Sequence, residues 1–473
     1  MLNISLSNGT VYLCKVRNGT LSADTICALA TPNGVGAIAV IRVSGPRAIA
    51  ILQRSFSKNL SHAASHTLHF GVISDEKHHL IDEVLVSVFH NGKSFTGEES
   101  VEIACHASPY IQQQILQLLS QNGCRLAEPG EFTMRAFMNG KLDLSQAEAV
   151  ADLIASQTRN AHDVAMKQLR GGFSTELKAL RDQLIHFASL VELELDFAEE
   201  DVEFADRTEL KALVKEVISY ISRLASSFEL GNAIKNGVPV AIVGAPNTGK
   251  STLLNRLLGE DRAIVSNIAG TTRDVIEETL NLEGILFRLI DTAGIREGAE
   301  EIEAMGIERS REKIRQAKIV LCMEEAGNQE ALKKVSEWAE SIRREHSDKC
   351  VLVVANKTDV IADKTNNIQA DLYISAKSGE GIDLLTNRLV SEVMGDFSIS
   401  DETIVSNARH YEALVNTRID LEKALNALET GVSADFVAMD IRAAMRHLGN
   451  ITGQIDVDTD ILGSIFSKFC IGK

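Results

Sequence analysis

The spacing of apolar residues changes character several times along this chain. Between residues 24 and 120, short apolar runs alternate with turn residues: TICALATPNGVGAIAVIRVSG, then LIDEVLVSVF, then SVEIACH. Runs of that length, bounded by glycine, proline and asparagine, read as strands. PYIQQQILQLLSQNG follows with a helical period, so residues 24–141 are expected to form a small α+β domain. From Leu142 to Asn236 the apolar residues recur every three or four positions, as in LSQAEAVADLIASQT, TELKALRDQLIHFASLVELELDF and ELKALVKEVISYISRLASSF. Glycine and proline become scarce there, which predicts packed helices. At Val238 buried strands return and alternate with helices: PVAIVG, GILFRLIDTAG, AKIVLCM, CVLVVANKTD and LYISAKSG. That alternation predicts a parallel α/β domain over 237–395. NARHYEALVNTRIDLEKALNALE and FVAMDIRAAMRHLGNIT then restore the helical period over 396–473. The economical reading is one helical domain, 142–236 plus 396–473, interrupted by an inserted α/β domain, an arrangement that needs its two junctions close together. Residues 1–23 read as a polar extension.

Composition narrows the class. At 473 residues the chain is too long for a single core. No stretch has the apolar length of a membrane span. The start MLNISLSNGTVYLCKVRNGT has no charged head followed by an apolar run, so no secretory signal is expected. The chain is therefore expected in the cytoplasm, without a membrane association. Its seven cysteines are widely spaced, with no pair at metal-ligand spacing. A disulfide framework and a zinc site are both unexpected. The net charge of −17 argues against a protein that coats nucleic acid by itself. A local basic patch, or a partner that supplies one, remains compatible with it.

The chemistry concentrates in the α/β segment. Gly244-Ala-Pro-Asn247-Thr248-Gly249-Lys250-Ser251 is a complete P-loop between an expected strand and an expected helix, with Thr252 next along. Glycines let backbone N–H groups wrap phosphates, Lys250 reaches the outer phosphates, and Ser251 offers a hydroxyl to Mg²⁺. Asp291-Thr292-Ala293-Gly294 ends a strand. Asp291 can hold the Mg²⁺ water shell, and Gly294 can bring its N–H to the γ-phosphate. Gly270-Thr271-Thr272-Arg273 lies between them, where Thr272 can complete the Mg²⁺ shell. Asn356-Lys357-Thr358-Asp359 follows the strand VLVVA. Its carboxylate can accept two hydrogen bonds, from guanine N1–H and the 2-amino group, a pattern that adenine lacks. Ser375-Ala376-Lys377 supplies a last loop against the base. These motifs in this order predict GTP binding and hydrolysis. Ile295 stands where a glutamine would orient the attacking water, so that water must be positioned by another group.

The arrangement resembles the MnmE (TrmE) family of tRNA-modification GTPases from Asp24 to Lys473. Outside the nucleotide motifs the resemblance rests on ATPNGVGAIAVIRVSGP, FTGEES, EPGEFTMRAFMNGKLDLSQAEAVADLI and the terminal FCIGK. It implies an α/β P-loop GTPase domain inserted into an α-helical domain, preceded by a small α+β folate-binding domain that pairs with its twin in a homodimer. A reduced folate, a tetrahydrofolate derivative, would supply a one-carbon unit. The implied partner is an MnmG-like FAD-dependent protein in a heterotetramer. The implied product is an aminomethyl or carboxymethylaminomethyl group on carbon five of the wobble uridine of certain tRNAs. Arg42, Glu98, Lys141 and Lys473 match the family's folate contacts. The family also implies K⁺ in place of an arginine finger. Asn247 matches its side-chain ligand, and the loop Ser266-Asn267-Ile268-Ala269-Gly270-Thr271 matches the segment that completes its shell, with Ser266, Ile268 and Thr271 as ligands. Glu303 matches the glutamate that orients the water, alongside Lys250 in catalysis. Cys470 matches a cysteine near the modification centre; a small apolar residue packed at the chain end is the other reading. Val35 and Ala37 depart from the family's glycine-rich turn, where an arginine and a glycine are usual.

Two other classes fit parts of this pattern. A GTP-switched RNA or ribosome assembly factor would keep the nucleotide motifs but needs a basic RNA-binding domain, whereas the helical segments carry acidic runs such as ELELDFAEEDVEF. A stand-alone folate-dependent aminomethyltransferase would not need intact phosphate, Mg²⁺ and guanine motifs.

Overall fold

A computed structural model describes residues 24–196, 207–260, 278–290, 311–361, 370–395, 403–430, 432, 434–454, 465–466 and 469–472. By backbone contacts it divides into two compact units. Residues up to Ala151 and from Thr452 onward make the first, and Asp152–Ile451 the second.

The first unit is built on a six-stranded sheet in the order β3-β4-β5-β2-β1-β6. Its strands are β1 (Thr25–Leu29), β2 (Ile38–Ser44), β3 (Thr67–Ser74), β4 (Leu80–Phe89), β5 (Ser100–His106) and β6 (Cys124–Leu126). All pairs are antiparallel except β1 with β6. One face of the sheet alternates Val and Ile inward, with Ile41, Val43, Val86, Val88, Val101 and Ile103 fully buried. Helices α1 (Ala48–Gln53) and α2 (Pro109–Gln121) pack on that face, as the shared core of Leu52, Ile115 and Leu119 shows. Helix α3 (Glu131–Met138) and the start of α4 (Leu144–Ala155) close a second, smaller core with Phe466 and Phe469. The chain's last described residues thus belong to its first domain. Pro129 and Ile471 form an isolated β-bridge, and Gly130 N–H donates to the Cys470 carbonyl. Gly472 (φ +97°) passes so close to β1 that a Cβ there would lie 2.1 Å from the Leu29 carbonyl oxygen.

The second unit joins a helical core to a second sheet. Helices α5 (Arg159–Leu169), α6 (Gly172–Asp196), α7 (Arg207–Ser226) and α8 (Phe228–Asn236) precede the sheet. Helices α12 (Ala408–Thr430) and α13 (Ala434–Thr452) follow it. One buried cluster takes Leu177 and Leu184 from α6, Val214, Val217 and Ile221 from α7, Leu414 and Leu421 from α12, and Ile441 and Leu448 from α13. Helices from before and after the sheet therefore share one core, which requires the sheet's two chain junctions to be near each other.

The sheet runs β12-β11-β10-β7-β9-β8, from strands β7 (Val238–Gly244), β8 (Glu278–Leu282), β9 (Ile285–Leu289), β10 (Ile319–Glu325), β11 (Cys350–Asn356) and β12 (Leu372–Tyr373). Only the edge pair β8 and β9 is antiparallel. Helices α9 (Lys250–Glu260), α10 (Gln329–Glu345) and α11 (Ile382–Met394) cover its faces. The near-continuous apolar strands, VAIV in β7 and VLVVA in β11, are those of a sheet buried on both sides.

Candidate functional site

In this parallel sheet ligands are expected beyond the carboxyl ends of the strands, and that is where the sequence motifs fall. Strand β7 ends at Gly244 (φ +152°), where a Cβ would lie 2.2 Å from the Met323 carbonyl oxygen on β10. Only glycine lets the chain leave the sheet there. Asn247 sits in the left-handed region (φ +64°), which asparagine tolerates better than most residues. Gly249 (φ +97°) has no room for a side chain either, because a Cβ would stand 2.2 Å from Asn356 Nδ2. Thr248 is buried and its hydroxyl donates to the Ala245 carbonyl at 2.9 Å. The Lys250 ammonium donates to the carbonyls of Gly244 (2.9 Å) and Ala245 (2.7 Å), which holds it over the loop. Ser251 and Thr252 are exposed in the first turn of α9. A hydroxyl in that turn is a hard oxygen suited to Mg²⁺, and the helix N-terminus beside it favours phosphate.

The second loop is tied to the first by one side chain. Asn356, 2% exposed, donates from Nδ2 to the Thr248 carbonyl at 2.9 Å and accepts at Oδ1 from Ala376 N–H at 2.9 Å. Lys357 then turns left-handed (φ +66°), and its ammonium pairs with Glu325. Asp359 follows in a short 3₁₀ turn, exposed and accepting from the Ser375 hydroxyl at 2.6 Å. That hydrogen bond holds its carboxyl below the usual range, so it is an anionic acceptor at neutral pH. Arg256 on α9 donates to the carbonyls of Lys377 (2.7 Å) and Ala376 (3.4 Å), fixing the last loop to the P-loop helix. Among the described residues, then, Asn247 to Thr252, Asn356, Lys357, Asp359 and Ser375 to Lys377 gather around one end of the sheet. Ser266 to Thr272, Asp291 to Gly294 and Glu303 lie outside the described residues, as does Lys473. Among the described residues no group of three or more His, Cys, Asp or Glu forms a metal cluster. Oxygen ligation by hydroxyls and amides is what Ser251 and Asn247 can offer.

A separate polar patch lies on the sheet of the first unit. Arg42 on β2 pairs with Glu102 at 2.9 Å and sits over the rings of Phe95 and Phe132. Two residues on along the same strand, the Ser44 hydroxyl donates to Glu98 at 2.7 Å. The Lys141 stem packs over Gly97 (φ +80°), beside Glu98, and its ammonium donates to the Gly92 carbonyl. Arg42, Glu98 and Lys141 thus sit around one β2 and Phe95–Gly97 surface. A guanidinium, an ammonium and a carboxylate are a fitting donor and acceptor set for a pterin carrying an acidic tail.

Sequence reasoning missed the group that holds this patch. Arg135 is 1% exposed and pairs with Asp24 (2.7 Å), Glu131 (2.9 Å) and Glu98 (3.2 Å). Burial opposes ionisation of Glu131, but hydrogen bonds from Arg125 and the Glu128 amide, with the charge of Arg135, outweigh it and hold its carboxyl low. The Arg135 Nε makes no hydrogen bond among the described residues. Glu131 is one helical turn back on α3, but Asp24 and Glu98 lie far away in sequence, so no local pattern marks the cluster. The Asn356 stitch and the Arg256 clamp were missed for the same reason.

A strand, a glycine-turned loop and a helix, with a carboxylate-bearing loop fixed beside them, define a P-loop nucleotide-binding protein. Family models place it further. One described as MnmE helical domain matches residues 144–470, and one described as GTP-binding protein TrmE N-terminus matches residues 25–141. The chain belongs to the MnmE (TrmE) family. It is 53% identical to the tRNA modification GTPase MnmE of Cytophaga hutchinsonii, over 96% of this chain and 99% of that relative. It is 52% identical to the protein of the same name from Flavobacterium johnsoniae, over 96% of this chain and all of that one. The Bacteroides fragilis protein of that name is 50% identical over the same shares. Among solved structures, an Era variant of Aquifex aeolicus bound to GDP and aluminium fluoride is 26% identical over 39% of this chain and 66% of its own, with a TM-score of 0.25.

Proposed function

We propose that this chain is a GTP hydrolase acting in tRNA modification. The observation that carries the nucleotide half is the stitched base loop: Asn356 locks the P-loop to Ser375–Lys377, and Asp359 stands exposed and ionised beside them. The names of its relatives, at about half identity over nearly full length, support the tRNA half. Asp359→Asn tests the base loop directly. GTP affinity should fall about 10- to 100-fold, the worth of hydrogen bonds to a charged acceptor, while xanthosine triphosphate, with its donor pattern reversed, should partly recover it. Unchanged GTP affinity would remove Asp359 from base recognition. Nucleoside analysis of tRNA from cells lacking the chain tests the other half.

The finer reading follows the family. Mg²⁺ would be held by Ser251 and Thr272, and K⁺ by Asn247 with Ser266, Ile268 and Thr271. When bound, these cations supply charge against the phosphates. Lys250 neutralises the outer phosphates and Glu303 orients the attacking water. Arg42, Glu98, Lys141 and Lys473 bind a reduced folate in a homodimer. An MnmG-like FAD-dependent partner completes a heterotetramer that modifies carbon five of the wobble uridine. The domain allocation is 24–141 for folate and pairing, 142–236 and 396–473 for the helical part, and 237–395 for the nucleotide. We place the protein in the cytoplasm; no helix among the described residues is long and apolar enough to cross a membrane. Calorimetry with 5-formyltetrahydrofolate should show binding that Glu98→Ala weakens and GTP hydrolysis that it leaves alone. A full-affinity variant would take Glu98 out of the site.

A further inference from the structure

A groove of about 600 Å³ runs between α5 and the tip of the β8–β9 hairpin. Its helical wall carries Arg159, Lys167 and Arg170, and its other wall is the turn Glu283–Gly284. Lys167 and Arg170, the residue that caps α5 in helical backbone, lie eight and eleven positions after Arg159, so at 100° per residue all three project within one quadrant. They span about 16 Å at 1.5 Å rise per residue, longer than a single phosphate and matched to several in a row. The carboxylates in the groove are Asp163 and Glu283. Asp163 sits 3.7 Å from Arg159 and 3.2 Å from His162, at 48% exposure. An exposed pair of that length contributes little and is readily exchanged for another anion. Arg170 makes no ion pair among the described residues. In a chain of net charge −17, three cations on one face of one helix mark the local basic footprint that overall composition hides.

The groove's walls are held at a set separation. Asn160 Nδ2 donates to the Glu283 carbonyl at 3.0 Å. Glu283 (φ +50°) and Gly284 (φ +83°) are both left-handed, the two-residue turn that best fits a twisted hairpin. The left-handed φ of Gly284 favours glycine, and its Cα packs against the Asn160 amide, which a Cβ would meet at 2.5 Å.

We propose that this groove is where the chain itself holds the phosphodiester backbone of its RNA substrate, with Arg159, Lys167 and Arg170 as the phosphate contacts. The proposal rests on the tRNA reading above and adds the surface that reading lacks. Backbone contacts of this kind position an RNA without reading its sequence.

The test uses the full-length chain and fluorescently labelled tRNA, with affinity followed from low to moderate salt. The triple variant Arg159→Gln, Lys167→Gln, Arg170→Gln should bind about tenfold or more weakly. The slope of log affinity against log salt should become shallower by about two, from 0.7–0.9 per lost phosphate contact. Asp163→Asn should bind about two- to threefold more tightly, because it removes the competing carboxylate; a merely structural role for α5 predicts no gain. GTP binding and hydrolysis without RNA should match the parent in both variants, which shows the fold intact. If the parent binds tRNA and the triple variant binds equally with the same slope, the groove is wrong while the tRNA reading stands. If the parent chain binds no tRNA at all, the groove is also wrong, and nucleoside analysis decides the tRNA reading separately. Equal binding of anionic phosphatidylglycerol vesicles and tRNA to the parent would overturn the assignment to RNA.

Discussion

Asn356 uses both ends of one amide on backbone that is not its own. With its side chain removed, the Thr248 carbonyl and the Ala376 N–H lose their partners in a buried place. Leaving such groups unpaired costs about 1–3 kcal/mol each. Asn356→Ala should therefore lower stability by a few kcal/mol in urea titration and weaken nucleotide binding more than its distance from phosphate would suggest. A variant as stable as the parent would show that water replaces the amide. At this scale legibility depended on range. The P-loop, Asn356–Asp359 and Ser375–Lys377 were readable because each is a contiguous run with a fixed chemistry. Arg135 was not readable, because its meaning depends on Asp24 and Glu98, which reach it only through the fold.

Elements report a second limit. The long periods of α6, α7, α12 and α13 were plain, since each repeats its apolar face over several turns. Strand β6, three residues long, carries too little period to be seen, and the break between α7 and α8 at Ser227 falls within a continuous helical pattern. That break has a packing cause. Ser227 Oγ accepts from Val405 N–H at 3.0 Å. Gly231, on the first turn of α8, lets residues 404–405 lie against the helix; a Cβ there would be 2.2 Å from the Val405 carbonyl oxygen. Helix propensity alone would favour alanine by about 1 kcal/mol. Gly231→Ala should instead destabilise by about 1–3 kcal/mol, the usual result of overpacking. Thermal unfolding gives the sign, and a stabilised variant would show that residues 404–405 yield freely.

For the whole molecule the proposed mechanism makes one demand. Ile295 can neither orient water nor carry charge, so the family reading assigns those tasks to Glu303 and to K⁺ at Asn247. GTP hydrolysis should then run at least about tenfold faster in K⁺ than in Na⁺, since fixed charge at the phosphates is worth that and more. Asn247→Ala should remove most of the difference while GTP binding persists through Lys250. Equal single-turnover rates in the two salts would turn attention to Arg273, next to Thr272, and Arg296, next to Ile295, as resident cations that could carry that charge instead. The placement of residues 469–472 against Pro129, Gly130 and Leu29 has a consequence for biosynthesis. Residues 152–451 are translated between the two halves of that first domain, about 15–60 s of elongation at 5–20 residues per second. The opening sheet can therefore form on the nascent chain with one seam still open, and the helical and nucleotide-binding parts must be synthesised before that seam can close.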